Sequence, residues 1–344
     1  MKKTRVAING FGRIGRIFFR QIFGKPEFEI VAINDLTPAD NLAYLLKYDS
    51  VYHSYAHPVS VTRRGTAEYL TVRDTQITIL HDREPQALPW RELAVDAVIE
   101  CTGVFDSYEK AKAHLEAGAK RVILSAPSKD LDSELGQTVL MGLNEEALGA
   151  CAITSNGSCT TNATHPLATI MEESVGVVKG FLNTTHSYTA TQGLVDGTGG
   201  KNDFRRGRAA GVNMVPSDSG AAIAVTRALP SLMGKFDAVA VRVPTPTVSL
   251  ADFTFVSKRK TEVAEINHIF IEEAKTPRWH RALATISDPV VSSDIIGTPY
   301  GCVVDLSYTK VVGGDLVKVM AWYDNEWGYV TTLVHHLEKV AALL

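Results

Sequence analysis

The apolar run Val6-Ala7-Ile8 leads almost directly into Gly10-Phe11-Gly12-Arg13-Ile14-Gly15, and a second apolar run at residues 30–33 ends on Asn34-Asp35. Residues 13–23 between them have helical spacing, so the segment reads as strand, helix, strand. Glycines at positions 10, 12 and 15 permit a tight turn, close approach of backbone to a ligand and close helix-to-strand packing. The helix start behind the turn offers free N–H groups to a pyrophosphate. Asp35 lies 20 residues beyond Gly15, where a carboxylate accepts from ribose hydroxyls. It would repel a 2′-phosphate, so the pattern favours NAD over NADP.

Buried-type apolar runs recur at residues 97–101 and 121–124 with a helix at about 108–117 between them, while residues 59–61, 69–72 and 76–80 alternate like shorter, half-exposed strands. A further helix is expected near 41–47. The first 150 residues therefore read as an α/β, doubly wound, Rossmann-type domain. Beyond Cys159 the pattern changes to longer strands near 181–185, 238–243, 248–256, 303–307 and 317–322, with helices near 163–174, 220–229 and 263–275. Few crossover helices separate those strands, which predicts an α+β domain with a mainly antiparallel sheet covered on one face. Residues 331–344 are apolar at helical spacing and are expected to dock on another element. The polar stretch 197–202 is the best candidate for a long ordered loop.

A length of 344 residues is ample for two domains. The formal charge of −3 gives no basis for nucleic-acid binding, and no apolar run reaches the roughly 18 residues of a membrane span. The basic start Met1-Lys2-Lys3-Thr4-Arg5 is followed by a short strand and a glycine turn, not a long apolar segment with a cleavage site, so a cytoplasmic location is expected. Cys101, Cys151, Cys159 and Cys302 have no paired metal spacing and are too few for a disulfide framework. No metal site and reduced thiols are expected.

Cys159 follows the strand Ala152-Ile153-Thr154 and the turn Asn156-Gly157, at an apparent helix start. The positive end of a helix dipole lowers a thiol pKa, and a nearby imidazole would lower it further. Of ten histidines, His186 at the end of a strand is best placed to act as that base. Ser158, Thr160 and Thr161 surround the cysteine with hydroxyls, and Thr189 and Thr191 follow the histidine. Arg205-Arg206-Gly207-Arg208 and Arg242 add cations suited to an anionic substrate.

Five motifs in order, Asn9-Gly10-Phe11-Gly12-Arg13-Ile14-Gly15-Arg16, Ser155-Asn156-Gly157-Ser158-Cys159-Thr160-Thr161-Asn162, Thr189-Ala190-Thr191-Gln192, Arg242-Val243-Pro244-Thr245-Pro246 and Trp322-Tyr323-Asp324-Asn325-Glu326-Trp327-Gly328-Tyr329, resemble the glyceraldehyde-3-phosphate dehydrogenase family. The resemblance implies a phosphorylating aldehyde dehydrogenase that works through a thioester on Cys159, with His186 as base and a phosphorylated aldehyde and inorganic phosphate as substrates. It implies that Thr189 and Arg242 hold the substrate's phosphate. Ser158, Thr160, Ser219 and Gly220 would line a second anion site, with Arg206 the basic residue of the loop. Asn325 would hold the nicotinamide carboxamide, Tyr329 would lie beside that ring, and Thr102 and Ser125 would add cofactor contacts. It also implies an NAD-binding domain of residues 1–158 and 325–344, into which the final helix docks, a catalytic domain of residues 159–324, and a homotetramer.

The chain departs from the family at several places. Ala163 stands where a second cysteine is usual, Gly157 replaces alanine at a cost in backbone entropy, and Ser219 replaces threonine. His165 is unusual and reads as a helix-surface or packing residue. The loop Asp196-Gly197-Thr198-Gly199-Gly200-Lys201-Asn202-Asp203-Phe204 lacks the usual proline and is one residue longer, and in the family it reaches a neighbouring subunit's cofactor, which loosens the expectation of strict NAD use. Erythrose-4-phosphate dehydrogenase, whose thioester passes to water, is the nearest alternative. A paralogue without turnover, serving as a binding or redox-sensing module, is a remote one.

Overall fold

A computed structural model describes residues 3–199 and 203–344; Met1 and Lys2 of the basic start, and Gly200, Lys201 and Asn202 of the polar loop, lie outside the described residues. The chain divides into two compact units. One comprises Met1–Val139, Glu145–Gly157 and Leu333–Leu344, the other Leu140–Asn144 and Ser158–Thr332.

The first unit is built on nine strands: β1 (Thr4–Asn9), β2 (Phe28–Asn34), β3 (Val59–Arg64), β4 (Ala67–Val72), β5 (Thr75–Leu80), β6 (Ala97–Glu100), β7 (Arg121–Leu124), β8 (Gly136–Thr138) and β9 (Ile153–Ser155). Their order is β3-β4-β5-β2-β1-β6-β7-β9-β8. From β5 to β8 every pairing is parallel, and β3, β4 and β5 add an antiparallel edge. Helix α1 (Arg13–Ile22) carries the chain from β1 to β2 on one side. The chain later returns to β6 on the other side of β1, so strand order reverses at the glycine turn, where doubly wound sheets bind ligands. Val6, Ala7 and Ile8 are fully buried, as are Val98 and Val122 on the neighbouring strands. Removing each such valine or isoleucine side chain from water contributes about 1.5–3 kcal/mol. Helices α2 (Ala39–Lys47) and α3 (Tyr108–Glu116) complete the layers.

The second unit holds α4 (Cys159–Ser174), β10 (Val177–Ser187), β11 (Val215–Asp218), α5 (Ala221–Ala228), β12 (Phe236–Val243), β13 (Ser249–Ser257), α6 (Val263–Glu273), β14 (Leu283–Ile286), β15 (Cys302–Val312) and β16 (Leu316–Tyr323). Strand order is β11-β12-β10-β13-β16-β15-β14. Pairings are antiparallel except β10 with β12 and β14 with β15. Ala163, Leu167 and Met171 of α4, Val225 of α5 and Phe270 of α6 share one core with Phe253, Phe255, Val317 and Val319 of the sheet. The chain is thus mixed α/β, with the mainly antiparallel sheet covered on one face. Helix α7 (Trp327–Ala341) follows; in the first unit its C-terminal part is tied down by His336 to Thr154 (2.8 Å) and Asn156 (3.1 Å) and by Glu338 to Lys25 (3.0 Å).

Three strands are absent from the sequence pattern. β8, β11 and β14 are three or four residues long and lie at sheet edges. β6 and β7 are as short, but as interior parallel strands they show the apolar runs Ala97-Val98-Ile99 and Val122-Ile123-Leu124, whereas Gly136-Gln137-Thr138 and Val215-Pro216-Ser217-Asp218 offer no such run. Of the two roles expected for His165, helix surface or packing, the structure shows packing: it is 1% exposed and stands against Trp279 with ring centroids 5.8 Å apart. One local expectation changes. Gly157 has φ +66°, so glycine suits this left-handed position and the alanine usual in the family would be strained there.

Candidate active site

In the first unit, Gly10 has φ +91°, and a Cβ there would sit 2.6 Å from Thr102 N. A Cβ on Gly15 would collide with the Gly10 carbonyl, whereas nothing lies within 4 Å of the Cβ position of Gly12. Gly12 thus keeps the N-terminus of α1 open on its ligand side. Asp35 Oδ2 accepts from Phe11 N–H at 2.7 Å and Oδ1 from Thr37 N–H at 2.9 Å, which locks the glycine turn to the end of β2. A cavity of about 440 Å³ gathers Gly10, Gly12, Asp35 and Thr102. Phe11 points away into the core, edge-on to Phe19 at 5.7 Å. Arg13 pairs with Asp49 and lies over Tyr52, and Ile14 is half-buried. Ser125 sits at the end of β7, its N–H on the Glu100 carbonyl at 3.0 Å.

Asn9, Asn34, Asp82, Arg83 and Cys101 also line this cavity and were missed by the sequence reading. The signal for Asn9 and Asn34 was present, since both close parallel strands at their C-terminal ends, where such sites form. Burial pushes the Cys101 thiol up to about 12 despite a hydrogen bond with Ser125. The cavity's open helix start and the acceptor at Asp35 suit the nucleoside and phosphate part of a dinucleotide.

In the second unit, Ser158 caps α4 by accepting from Thr161 N–H at 3.0 Å, an interaction of about 1 kcal/mol. Cys159 is the first helical residue. Its Sγ stands 3.5 Å from His186 Nε2. The parallel β10–β12 register puts His186 opposite Arg242, and Arg242 Nη1 reaches His186 Nδ1 at 2.7 Å. The Ser187 carbonyl is also 2.7 Å from Nδ1 and accepts from Arg242 at 3.2 Å. Nδ1 can therefore satisfy the carbonyl as a donor or the guanidinium as an acceptor, but not both.

Burial raises the Cys159 thiol above its ordinary value, against the direction expected from the helix dipole alone; the charge of Arg242, the Thr160 hydroxyl and backbone N–H groups oppose that rise. Burial, followed by the charge of Arg242, pushes His186 down to about 3. The imidazole is therefore neutral at ordinary pH and can accept a proton.

Tyr323 was also missed. Its Oη bridges Thr160 Oγ1 (3.0 Å) and Thr184 Oγ1 (2.7 Å), and its ring stands edge-on to His186 at 5.9 Å. Thr189 Oγ1 bonds Thr191 Oγ1 at 2.9 Å, and Arg206 Nη1 reaches the same Thr191 hydroxyl at 3.4 Å. Ser219 accepts from Ala221 N–H at 3.3 Å just before α5, which Gly220 caps. Asn325 Oδ1 accepts from Ser187 Oγ (3.0 Å) and Ser249 Oγ (3.3 Å), and Tyr329 is buried. Asn325 and Tyr329 belong to the second unit, and the glycine turn, Asp35, Thr102 and Ser125 to the first. Among the described residues no cluster of three or more histidines, cysteines or carboxylates could hold a metal, and no helix is long and apolar enough to cross a membrane.

Residues 4–108 match the NAD binding domain of glyceraldehyde 3-phosphate dehydrogenase, and residues 158–325 match its C-terminal domain. A protein of Mycobacterium leprae named glyceraldehyde-3-phosphate dehydrogenase is 45% identical over 338 residues, which cover 96% of each chain. One of the same name from Clostridium pasteurianum is 42% identical over 345 residues, 99% of each chain. The chloroplastic A form of Chlamydomonas reinhardtii is 44% identical over 99% of this chain and 89% of its own. With both domain models matched in order and relatives aligned nearly end to end, the chain belongs to the glyceraldehyde-3-phosphate dehydrogenase family and is an NAD-dependent oxidoreductase.

Proposed function

We propose that this protein oxidises D-glyceraldehyde 3-phosphate to 1,3-bisphosphoglycerate, with NAD and inorganic phosphate, through a thioester on Cys159. The observation that carries the reading is the 3.5 Å approach of Cys159 Sγ to a neutral His186 whose other nitrogen faces Arg242. His186 Nε2 takes the thiol proton as sulfur bonds to the aldehyde carbon, giving the oxyanion of a hemithioacetal. Nδ1–H then donates to the Ser187 carbonyl. The backbone N–H groups at the start of α4 face the developing oxyanion. NAD, when bound, would supply the hydride acceptor that takes this oxyanion to the thioester. Phosphate attacks its carbonyl, the C–S bond breaks with its electron pair going to sulfur, the acyl phosphate departs, and the Cys159 thiolate recovers its proton from His186.

Arg242 and Thr189 hold the substrate's own phosphate, and Ser158, Thr160, Arg206, Ser219 and Gly220 receive the attacking one. A dianion on Arg242 offsets the charge that depresses His186, so substrate binding strengthens the base. The cavity around Gly10, Gly12, Asp35 and Thr102 takes the adenosine half of NAD, with Phe11, Arg13, Ile14, Gly15 and Ser125 shaping it; Asn325 and Tyr329 receive the nicotinamide. By function rather than by compact unit, residues 1–158 with 325–344, which include Asn325 and Tyr329 of the second unit, serve as the NAD-binding domain and residues 159–324 as the catalytic domain, in a cytoplasmic homotetramer.

The test is the initial rate of NADH formation with glyceraldehyde 3-phosphate and with erythrose 4-phosphate, each with and without phosphate. Turnover with the three-carbon aldehyde should require phosphate. Phosphate-independent turnover would replace this reading with thioester hydrolysis, and light scattering checks the tetramer.

A further inference from the structure

Beneath the cavity of the first unit runs a chain of buried hydrogen bonds whose direction is fixed at both ends. At one end the Asp82 backbone donates its N–H to Asn34 Oδ1 and accepts Asn34 Nδ2 at its carbonyl, both at 2.9 Å, so that amide cannot flip. Asn34 Nδ2 also donates to Asn9 Oδ1 at 2.7 Å, which turns Asn9 Nδ2 toward Glu100 Oε2 at 2.5 Å. At the other end Trp90 Nε1, which can only donate, reaches His114 Nδ1 at 3.0 Å. His114 therefore carries its proton on Nε2 and donates to Glu100 Oε2 at 3.0 Å. Glu100 Oε1 accepts from Thr102 N–H at 2.7 Å and from the Thr102 hydroxyl. Donors from Asn9, His114 and Thr102 all converge on this one carboxylate. Glu100 is 3% exposed and His114 fully buried.

A carboxylate is the one side-chain end that accepts on both oxygens, whereas an amide would set a donor against a donor. Asn9, Asn34 and Thr102, which this chain orients, line the cavity; Glu100, His114 and Trp90 lie behind them. We infer that Glu100 is a positioning residue for NAD: by accepting from Asn9 and Thr102 it fixes the polar floor of the cofactor cavity before the cofactor arrives. A floor already ordered in the free protein spares the ordering entropy of binding, so its loss weakens affinity for NAD without touching the chemistry at Cys159. The inference rests on assigning this cavity to NAD.

The test is Glu100→Gln in the full-length protein, with the NAD dissociation constant measured calorimetrically beside kcat at saturating NAD. Affinity should fall at least about 10-fold while kcat stays within about two-fold. Unchanged affinity, or a fall in kcat as large as the fall in affinity, overturns the inference. If Glu100→Gln does not fold, His114→Leu and His114→Gln decide: the leucine should weaken NAD binding, and the glutamine, whose amide can still donate to Glu100, should restore it. Equal affinities in those two variants overturn the inference. Asp35→Ala separates the two levels, because unchanged NAD affinity there would remove the cavity assignment itself.

Discussion

His186 and Arg242 stand opposite each other on adjacent parallel strands, and the guanidinium of Arg242 lies 2.7 Å from the imidazole nitrogen that faces away from Cys159. The same positive charge pulls the Cys159 thiol down and pushes His186 down. Replacing Arg242 with leucine should therefore move the pH profile of Cys159 alkylation by iodoacetamide to higher pH. It should also raise KM for the phosphorylated aldehyde by about 10- to 100-fold, in keeping with loss of a charge-assisted contact of 1.5–3 kcal/mol. An unmoved alkylation profile would show that the guanidinium does not act on the sulfur.

Gly157 is left-handed, with φ +66°, immediately before the Ser158 cap. Gly157→Ala should destabilise the protein by about 1 kcal/mol, read as a lower midpoint in urea at unchanged m. A variant as stable as its parent would mean that the turn relaxes without strain.

Burial pushes His165, His186 and His336 down to about 3. Each binds a proton at 6.5 when unfolded and none when folded, so the unfolded state gains protons as pH falls below 6.5 and stability drops continuously toward pH 3. Between pH 7 and 5 each contributes a loss of about 2 kcal/mol. His165→Leu should flatten the dependence of unfolding free energy on pH by one such contribution. It also removes a buried Nδ1 that has no partner, a group that costs about 1–3 kcal/mol, so the variant should be more stable than the parent at pH 5. Parallel stability curves for the two proteins would sink this account.

Tyr323 holds Thr160 and Thr184 through one hydroxyl. Tyr323→Phe should cost about 1–3 kcal/mol, because two threonine hydroxyls lose a buried partner. KM for inorganic phosphate should rise while the NAD dissociation constant stays put. If both constants shift together, Tyr323 acts on the fold and not on the anion site.

Much of the fold could be read from the sequence because its signals are local. The glycine turn, the apolar strands around it and Asp35 are close in sequence, and Ser158 marks the start of α4 within one turn of Cys159. What could not be read depends on long-range pairing. Arg242 meets His186 only through the register of two strands 56 residues apart, and Glu100 meets Asn9 across 91. Desolvation is equally invisible in sequence: a helix start argues for a lowered thiol at Cys159, while the burial that opposes it comes from the packed core. β8 and β11 escaped because an edge strand needs no continuous apolar run, unlike the equally short interior strands β6 and β7.

The nucleotide-side unit takes its segment Leu333–Leu344 from sequence that follows all of Ser158–Thr332. During translation, β9 lacks its His336 contact until the other unit has been made in full. All nine strands of the larger sheet lie within residues 4–155, so they can pair early, while the side chains that Leu333–Leu344 will meet stay uncovered until the other unit has been made. Residues 333–344 thus fasten a sheet whose strands were made long before them, so a chain cut short inside α7, before His336, would carry paired strands that lack their late anchors at Thr154, Asn156 and Lys25.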